Sequence, residues 1–212
     1  MMYSAAIFER PETSLDEAAV HKMDVICRKL ELQAGEHLLE IGTGWGGLAI
    51  FAAKHYGCRV TTTTISREQY ETACQRVREE SLEGQITVLF EDYRNLQGSY
   101  DKLVSVEMIE AVGHKFYDQY FRGCSELLKD DGLMLLQAIT IPGQRYDYAR
   151  RSVDFIQRYI FPGGSLPSHE VITSAVRKNT DMVMIGMQEI GEDYARTLQV
   201  WRERLMLRLD EV

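Results

Sequence analysis

One short turn holds four glycines within six residues, and it decides most of what this chain can fold into. His37–Ile41 is an apolar stretch that reads as a strand. Glu40-Ile41-Gly42-Thr43-Gly44-Trp45-Gly46-Gly47 closes that strand and opens a helix over Gly46–His55. A strand, a glycine turn and a helix in that order begin a βαβ unit. Glycines there let the backbone pass close to a ligand, and the helix N-terminus offers free N–H groups.

The spacing alone does not choose the ligand. Gly42, Gly44 and Gly47 also satisfy the dinucleotide pattern G-x-G-x-x-G. A dinucleotide site needs an acid roughly 20 residues on, at the end of the second strand, for the ribose hydroxyls. Here that strand ends Thr61-Thr62-Thr63-Thr64-Ile65-Ser66, without one. The acid stands before the glycines, at Glu40, where a carboxylate suits a cation better than a pyrophosphate. S-adenosylmethionine, which carries a sulfonium and an ammonium, is such a ligand.

The rest of the chain repeats the strand–helix alternation, so the expected class is α/β, with a parallel sheet and helices on both faces. Ser14-Leu15-Asp16-Glu17 is a capping box that starts a helix carrying Leu15, Ala19, Met23, Ile26 and Leu30. Further strands are expected at Arg59–Thr64, Gln85–Phe90, Lys102–Val106 and Leu133–Thr140. Ser66-Arg67-Glu68-Gln69 reads as a second capping box, and a helix is expected over Lys115–Leu128. Beyond these, helices are expected near 147–160 and 168–178, a strand near 182–190 and an amphipathic helix near 193–210. Ligands in such a fold sit outside the carboxyl ends of the strands.

Composition narrows the partners. The chain has 212 residues, 45% of them hydrophobic, which suits a single domain over residues 1–212. Its net charge of -8 argues against nucleic acid, which calls for a basic face. No run approaches the roughly 18 apolar residues of a membrane span, and no signal peptide is visible. Cys27, Cys58, Cys74 and Cys124 read as reduced thiols of a cytoplasmic protein, and the five histidines have no metal-ligand spacing, so no metal is expected.

Several segments together resemble the cyclopropane-fatty-acyl-phospholipid synthase and mycolic acid cyclopropane synthase family. They are Leu39–Leu48, Thr64-Ile65-Ser66-Arg67-Glu68-Gln69, Glu91-Asp92-Tyr93-Arg94 and Val104–His114. Tyr159–Gly164 with Leu166-Pro167 is similar to the family's acyl-pocket segment. Asp193–Leu198 with Trp201 matches a further motif. The resemblance covers essentially the whole chain.

It implies a Rossmann-like class I methyltransferase sheet that lacks its last strand. The antiparallel partner of the strand near 182–190 would lie beyond Val212, and an unpaired edge would favour a homodimer. It also implies an enzyme of lipid biosynthesis that transfers a methyl or methylene group from S-adenosylmethionine to the double bond of an unsaturated phospholipid acyl chain. Such an enzyme would be cytoplasmic, with peripheral contact on the inner face of the membrane.

By the same resemblance, Tyr3, Ser4, Glu40, Gly42, Gly44 and Trp45 border the methionine end of the cofactor. Thr64, Ile65 and Gln69 hold its ribose, and Asp92 and Tyr93 its adenine. His114, Tyr117, Tyr159 and Phe161 line the substrate site, and Arg145, Arg150, Arg151 and Arg158 face lipid phosphates. The family places a bicarbonate base beside the reacting carbon. Glu110, Tyr194 and the Ile139 backbone match its holders, whereas Ala5 replaces a Cys and Gln137 a His. With that site weakened, Glu110 is expected to act more directly as the base. Glu107 is assigned to the cofactor's ammonium.

Besides a nicotinamide dehydrogenase, which the dinucleotide-like glycine spacing keeps open, two rival readings remain at this stage. One is a methyltransferase for a soluble amine. The other is a cofactor-binding module without catalysis.

Overall fold

The computed structural model describes residues 2–211. Five parallel strands make one sheet in the order β3-β2-β1-β4-β5. They are β1 (His37–Ile41), β2 (Arg59–Thr64), β3 (Ile86–Phe90), β4 (Tyr100–Val106) and β5 (Leu128–Gln137). The order reverses at β1, which pairs with both β2 and β4. Connections leave β1 in opposite directions, and that opens a crevice at the carboxyl ends of β1 and β4.

Alternation along the strands builds two cores. Leu38 joins one apolar cluster with Ile26, Leu48, Ala52, Val60, Ile86 and Val104. Its neighbour Leu39 joins the other, with Leu103, Ile109, Tyr117, Tyr120, Phe121 and Cys124. Successive side chains on a strand point to opposite faces, so both faces of this sheet are buried. Helices α1 (Leu15–Lys29) and α2 (Gly47–Tyr56) lie on the first face. Helices α5 (Tyr117–Leu127) and α8 (His169–Asn179) lie on the second. Helix α3 (Arg67–Glu79) adds Val77 to the first cluster.

The capping box at Ser14 is complete, with Glu17 returning to the Ser14 backbone at 2.9 Å. The one expected at Ser66 is only half made. Ser66 Oγ accepts from Gln69 N at 3.3 Å, but the Gln69 side chain turns away to Thr64 and Tyr3.

Three expectations need correction. Residues 182–190 form no strand among the described residues. Val183, Ile185 and Met187 have the alternation of one and are strongly exposed. A strand is defined by its ladder, and nothing described here pairs with this segment. The single helix expected near 147–160 is two, α6 (Gly143–Ala149) and α7 (Phe155–Tyr159). Asp154 separates them by forming its own capping box with Gln157, so a local side-chain bond wins over helix continuation. Finally, β5 stops at Gln137, short of Thr140. Its register jumps from Tyr100–Leu128 to Lys102–Leu133, so residues 129–132 loop out.

Two further helices complete the frame, the one-turn α4 (Ile109–Val112) after β4 and α9 (Gly191–Met206).

Candidate active site

The glycine turn follows β1 directly. Gly42 N and Thr43 N donate to Thr63 O of β2 at 3.1 and 3.0 Å, which folds the turn back over the sheet edge. Gly42 has φ of 102° and Gly44 has φ of 51°, conformations that side chains disfavour. A Cβ on Gly42 would touch Met108 and one on Gly44 would touch Tyr3, each at 3.4 Å. The turn is thus bare backbone between the loop after β4 and the N-terminal segment.

Glu40 lies beneath it, only 4% exposed. Its Oε2 accepts from Thr62 Oγ1 at 2.7 Å. Burial pushes its pKa up to about 8, and the Thr62 bond opposes this in part. A buried carboxylate with one short neutral partner suits a cationic group arriving above it. Bare backbone beside a desolvated carboxylate therefore fits a ligand that carries an ammonium and a sulfonium.

The next residues along the crevice form a chain of bonds. Thr64 Oγ1 donates to Gln69 Oε1 at 2.8 Å, and Gln69 Nε2 donates to the Tyr3 hydroxyl at 2.9 Å. Tyr3 also meets Trp45 edge-on, with ring centroids 6.5 Å apart. Ile65 is exposed beside them. Asp92 is differently engaged, since it caps the turn Tyr93–Asn95 and pairs with Arg94 at 2.6 Å. Tyr93 packs edge-on against Tyr120 and belongs to the second core cluster.

A second centre sits where β4 ends. Glu107 takes a left-handed backbone, φ of 47°. Its Oε1 accepts from Gln137 Nε2 at 2.7 Å and from Ala5 N at 2.9 Å. The carboxylate expected at the cofactor's ammonium is therefore turned to the tip of β5 and the N-terminal segment. Glu110 sits in the first turn of α4. Its Oε1 accepts from Ile139 N at 2.6 Å, while its Oε2 is buried without a hydrogen-bond partner. Burial raises its pKa to about 7, the Ile139 bond opposes the shift, and the negative charge of Glu107 adds to it. Tyr194, half-buried on α9, has its hydroxyl pKa raised by burial and by both carboxylates. Glu110, Ile139, Gln137 and Tyr194 thus converge from α4, the end of β5 with the segment just after it, and α9.

These contacts bear on an anion at this centre. The Ile139 N–H ends on Glu110, and Gln137 Nε2 ends on Glu107. Two of the donors expected to grip a bicarbonate, Ile139 N–H and Gln137 Nε2, are taken by protein carboxylates, and no step is derived through that group.

The N-terminal segment ties the two centres together. Lys22 Nζ donates to Ser4 Oγ at 2.5 Å. Ala6 N donates to Thr197 Oγ1 at 3.1 Å, and Phe8 N to Asp193 Oδ1 at 2.9 Å. Arg196 covers the Phe8 ring at 3.9 Å. Residues 3–8 therefore form a strap that runs from the glycine turn to α9.

The residues assigned to substrate are scattered. Tyr117 is buried in the core, and its hydroxyl donates to Ser165 O at 2.8 Å. His114 sits half-buried between α4 and α5. Tyr159 and Phe161 are exposed on the lobe around α7. The loop that follows them returns to the second centre, where Ser165 N donates to Glu110 O at 2.8 Å. Among the described residues no group of His, Cys, Asp or Glu could hold a metal.

Sequence reasoning missed Lys22, whose side chain is fully buried. The signal was present, because Lys22 falls four residues from both Ala18 and Ile26 on the buried stripe of α1.

The family model for mycolic acid cyclopropane synthetase matches residues 1–212. The tuberculostearic acid methyltransferase of Mycobacterium tuberculosis is 40% identical over 217 residues, covering 99% of this chain and 51% of its own length. The cyclopropane-fatty-acyl-phospholipid synthase of Escherichia coli is 39% identical over 214 residues, covering 100% of this chain and 53% of its own. The chain thus spans about half the length of these curated relatives. Among solved structures, a mycolic acid cyclopropane synthase complexed with SAH and CTAB superposes with a TM-score of 0.91. It is 32% identical, and the match covers 99% of this chain and 76% of that one.

Proposed function

The chain belongs to the mycolic acid cyclopropane synthetase family, and on that premise we propose that it binds S-adenosylmethionine at the glycine turn and methylates the double bond of an unsaturated phospholipid acyl chain. Glu40 faces the cationic end of the cofactor, with Gly42, Gly44 and Trp45 along its methionine part. Thr64 and Gln69 reach the ribose, and Tyr3 closes the strap over the top. The bound cofactor supplies an electrophilic methyl group on sulfur.

The observation that carries the reading is Glu110, a buried carboxylate with one oxygen fixed by Ile139 N and the other free. The alkene π pair forms the new C–C bond, and the C–S pair leaves with sulfur. A carbocation remains on the acyl chain. Glu110 Oε2 takes a proton from a carbon beside it, and the released C–H pair closes a ring or forms a new double bond. A base works best with a pKa near the working pH, and burial sets Glu110 there. Tyr194 and the aromatic lobe shield the cation from water.

The α6–α7 lobe is the membrane-facing surface of this reading. Tyr148, Phe155, Tyr159, Ile160 and Phe161 are exposed there, beside Arg145, Arg150, Arg151 and Arg158. Arg158 stacks on Tyr159 at 5.4 Å. Among the described residues no helix is long and apolar enough to cross a membrane; the reading takes the contact as peripheral, through this lobe.

The test is direct. Purified protein is given methyl-labelled S-adenosylmethionine and vesicles of either unsaturated or fully saturated phospholipid. Label in the acyl chains of unsaturated vesicles alone supports the reading. Equal labelling of both, or transfer to an added soluble amine alone, overturns it.

A further inference from the structure

Lysine 22 is the least expected residue in the interior. Its side chain has no exposed surface, yet it ends in an ammonium. Burying that charge is costly without partners. Its hydrogen bond is to Ser4 Oγ, at 2.5 Å, and the charge that faces it is Glu107. Ser4 is followed by Ala5, whose N–H bonds Glu107 Oε1. Lys22, the strap and Glu107 therefore form one continuous unit beneath the second centre. Glu107 in turn raises the pKa of Glu110, which also faces the hydroxyls of Tyr194 and Tyr117.

We propose that Lys22 is a positioning residue for the two-carboxylate centre. Its ammonium holds the strap through Ser4 and, through the strap, keeps the Glu107 carboxylate turned onto Gln137 and Ala5, so that Glu110 is the carboxylate left facing the reacting chain. This rests on the reaction proposed above.

The logic is that of two like groups in different surroundings. Two carboxylates close together cannot share a site equally, and the one with fewer donors is the one pushed toward holding a proton. Glu107 has two N–H donors and a nearby ammonium, whereas Glu110 has one donor and an orphan oxygen. The left-handed backbone at Glu107 is costly for a residue with a side chain and aims it into this contact. A lysine kept only for packing would need neither Glu107 nor Ser4.

A pH profile of turnover on unsaturated vesicles separates the roles. Burial holds Lys22 near about 8 and Glu110 near about 7. Wild-type activity then rises through about pH 7 as Glu110 loses its proton. It falls above about pH 8 as Lys22 loses its charge.

Lys22→Met is expected to lower the maximal rate about 10- to 100-fold and to abolish the alkaline fall while keeping the acid rise. An alkaline fall that persists unchanged in Lys22→Met, or a wild-type profile without one, overturns the proposal. If Lys22→Met does not fold, Ser4→Ala decides. Losing the hydroxyl acceptor destabilises the ammonium, so the alkaline fall must move to lower pH, and a fall that stays in place overturns the role. Absence of labelled lipid from wild type at every pH instead removes the reaction itself, and with it the role.

Discussion

The part of the chain up to Gln137 and the shorter part after it solve different problems. Up to Gln137, apolar residues are spent inward, and two clusters bury both faces of the sheet. After it, among the described residues only Pro167 and Ala175 are apolar and fully buried, while Val171, Ile172, Val176 and Met182 pack half-buried against the second cluster. Large apolar side chains there point outward instead, at Tyr148, Val153, Phe155, Tyr159, Phe161, Val183 and Ile185. The first part builds most of the core and presents a polar crevice. The second part adds α8 to that core but leaves most of its large apolar side chains exposed, which is the behaviour of a binding surface. The proposed catalytic centre lies at the seam, where Ile139 N and Ser165 N both donate to Glu110.

Breaking the seam has the largest expected effect. Glu110→Gln keeps the shape and the Ile139 bond but removes the base. Turnover should drop on the order of 10²- to 10⁴-fold, while binding of S-adenosylhomocysteine, followed by calorimetry, changes little. Full activity in this variant would end the assignment.

The contrast between the two parts is sharpened by paired truncations. Leu38→Ala empties a site in the first core and should cost about 2–5 kcal/mol in denaturant unfolding. Phe155→Ser, on the exposed lobe, should cost about 0.5 kcal/mol or less. Equal losses would mean that the lobe belongs to the core after all.

Glu40 gives a pH test of the crevice. Its folded pKa, about 8, lies above the ordinary carboxylate value of 4.5 because of burial. Stability from protonated Glu40 is therefore complete below about pH 4.5 and is lost as pH rises through about 8. Thermal melts of the free protein should decline over that window, and Glu40→Gln should flatten the decline. A decline of the same size in the variant would contradict the buried, proton-holding Glu40.

The smallest effect belongs to the lobe's charges. Replacing Arg145, Arg151 and Arg158 with Gln should weaken binding to anionic vesicles by about 1 kcal/mol per residue, read by co-sedimentation. Unchanged binding would remove the membrane role from this face.

What could be read from the sequence divides along the same seam. The glycine turn and the five strands were legible because their cues are local: apolar period, capping residues and glycines that need left-handed backbone. Glu110, Gln137, Ile139 and Tyr194 were found through resemblance, and they meet in space although the chain separates Gln137 from Tyr194 by an entire lobe. Residues 182–190 misled because alternation shows strand preference but says nothing about a partner. Near 147–160 a helical period ran through Asp154, whose capping bond ended it. Glu107 was singled out but given the wrong partner, and Lys22 was passed over although it lies on the buried stripe of α1, because Ser4, Ala5 and Gln137, the residues that bond them, are distant in sequence.

The most direct test is mass spectrometry of lipids from cells that express the protein and are fed methyl-labelled methionine. The account predicts one labelled carbon added to unsaturated acyl chains, with fragmentation placing it at the former double bond. Label confined to headgroup nitrogen, or absent from lipid while the purified protein binds S-adenosylmethionine, would contradict it.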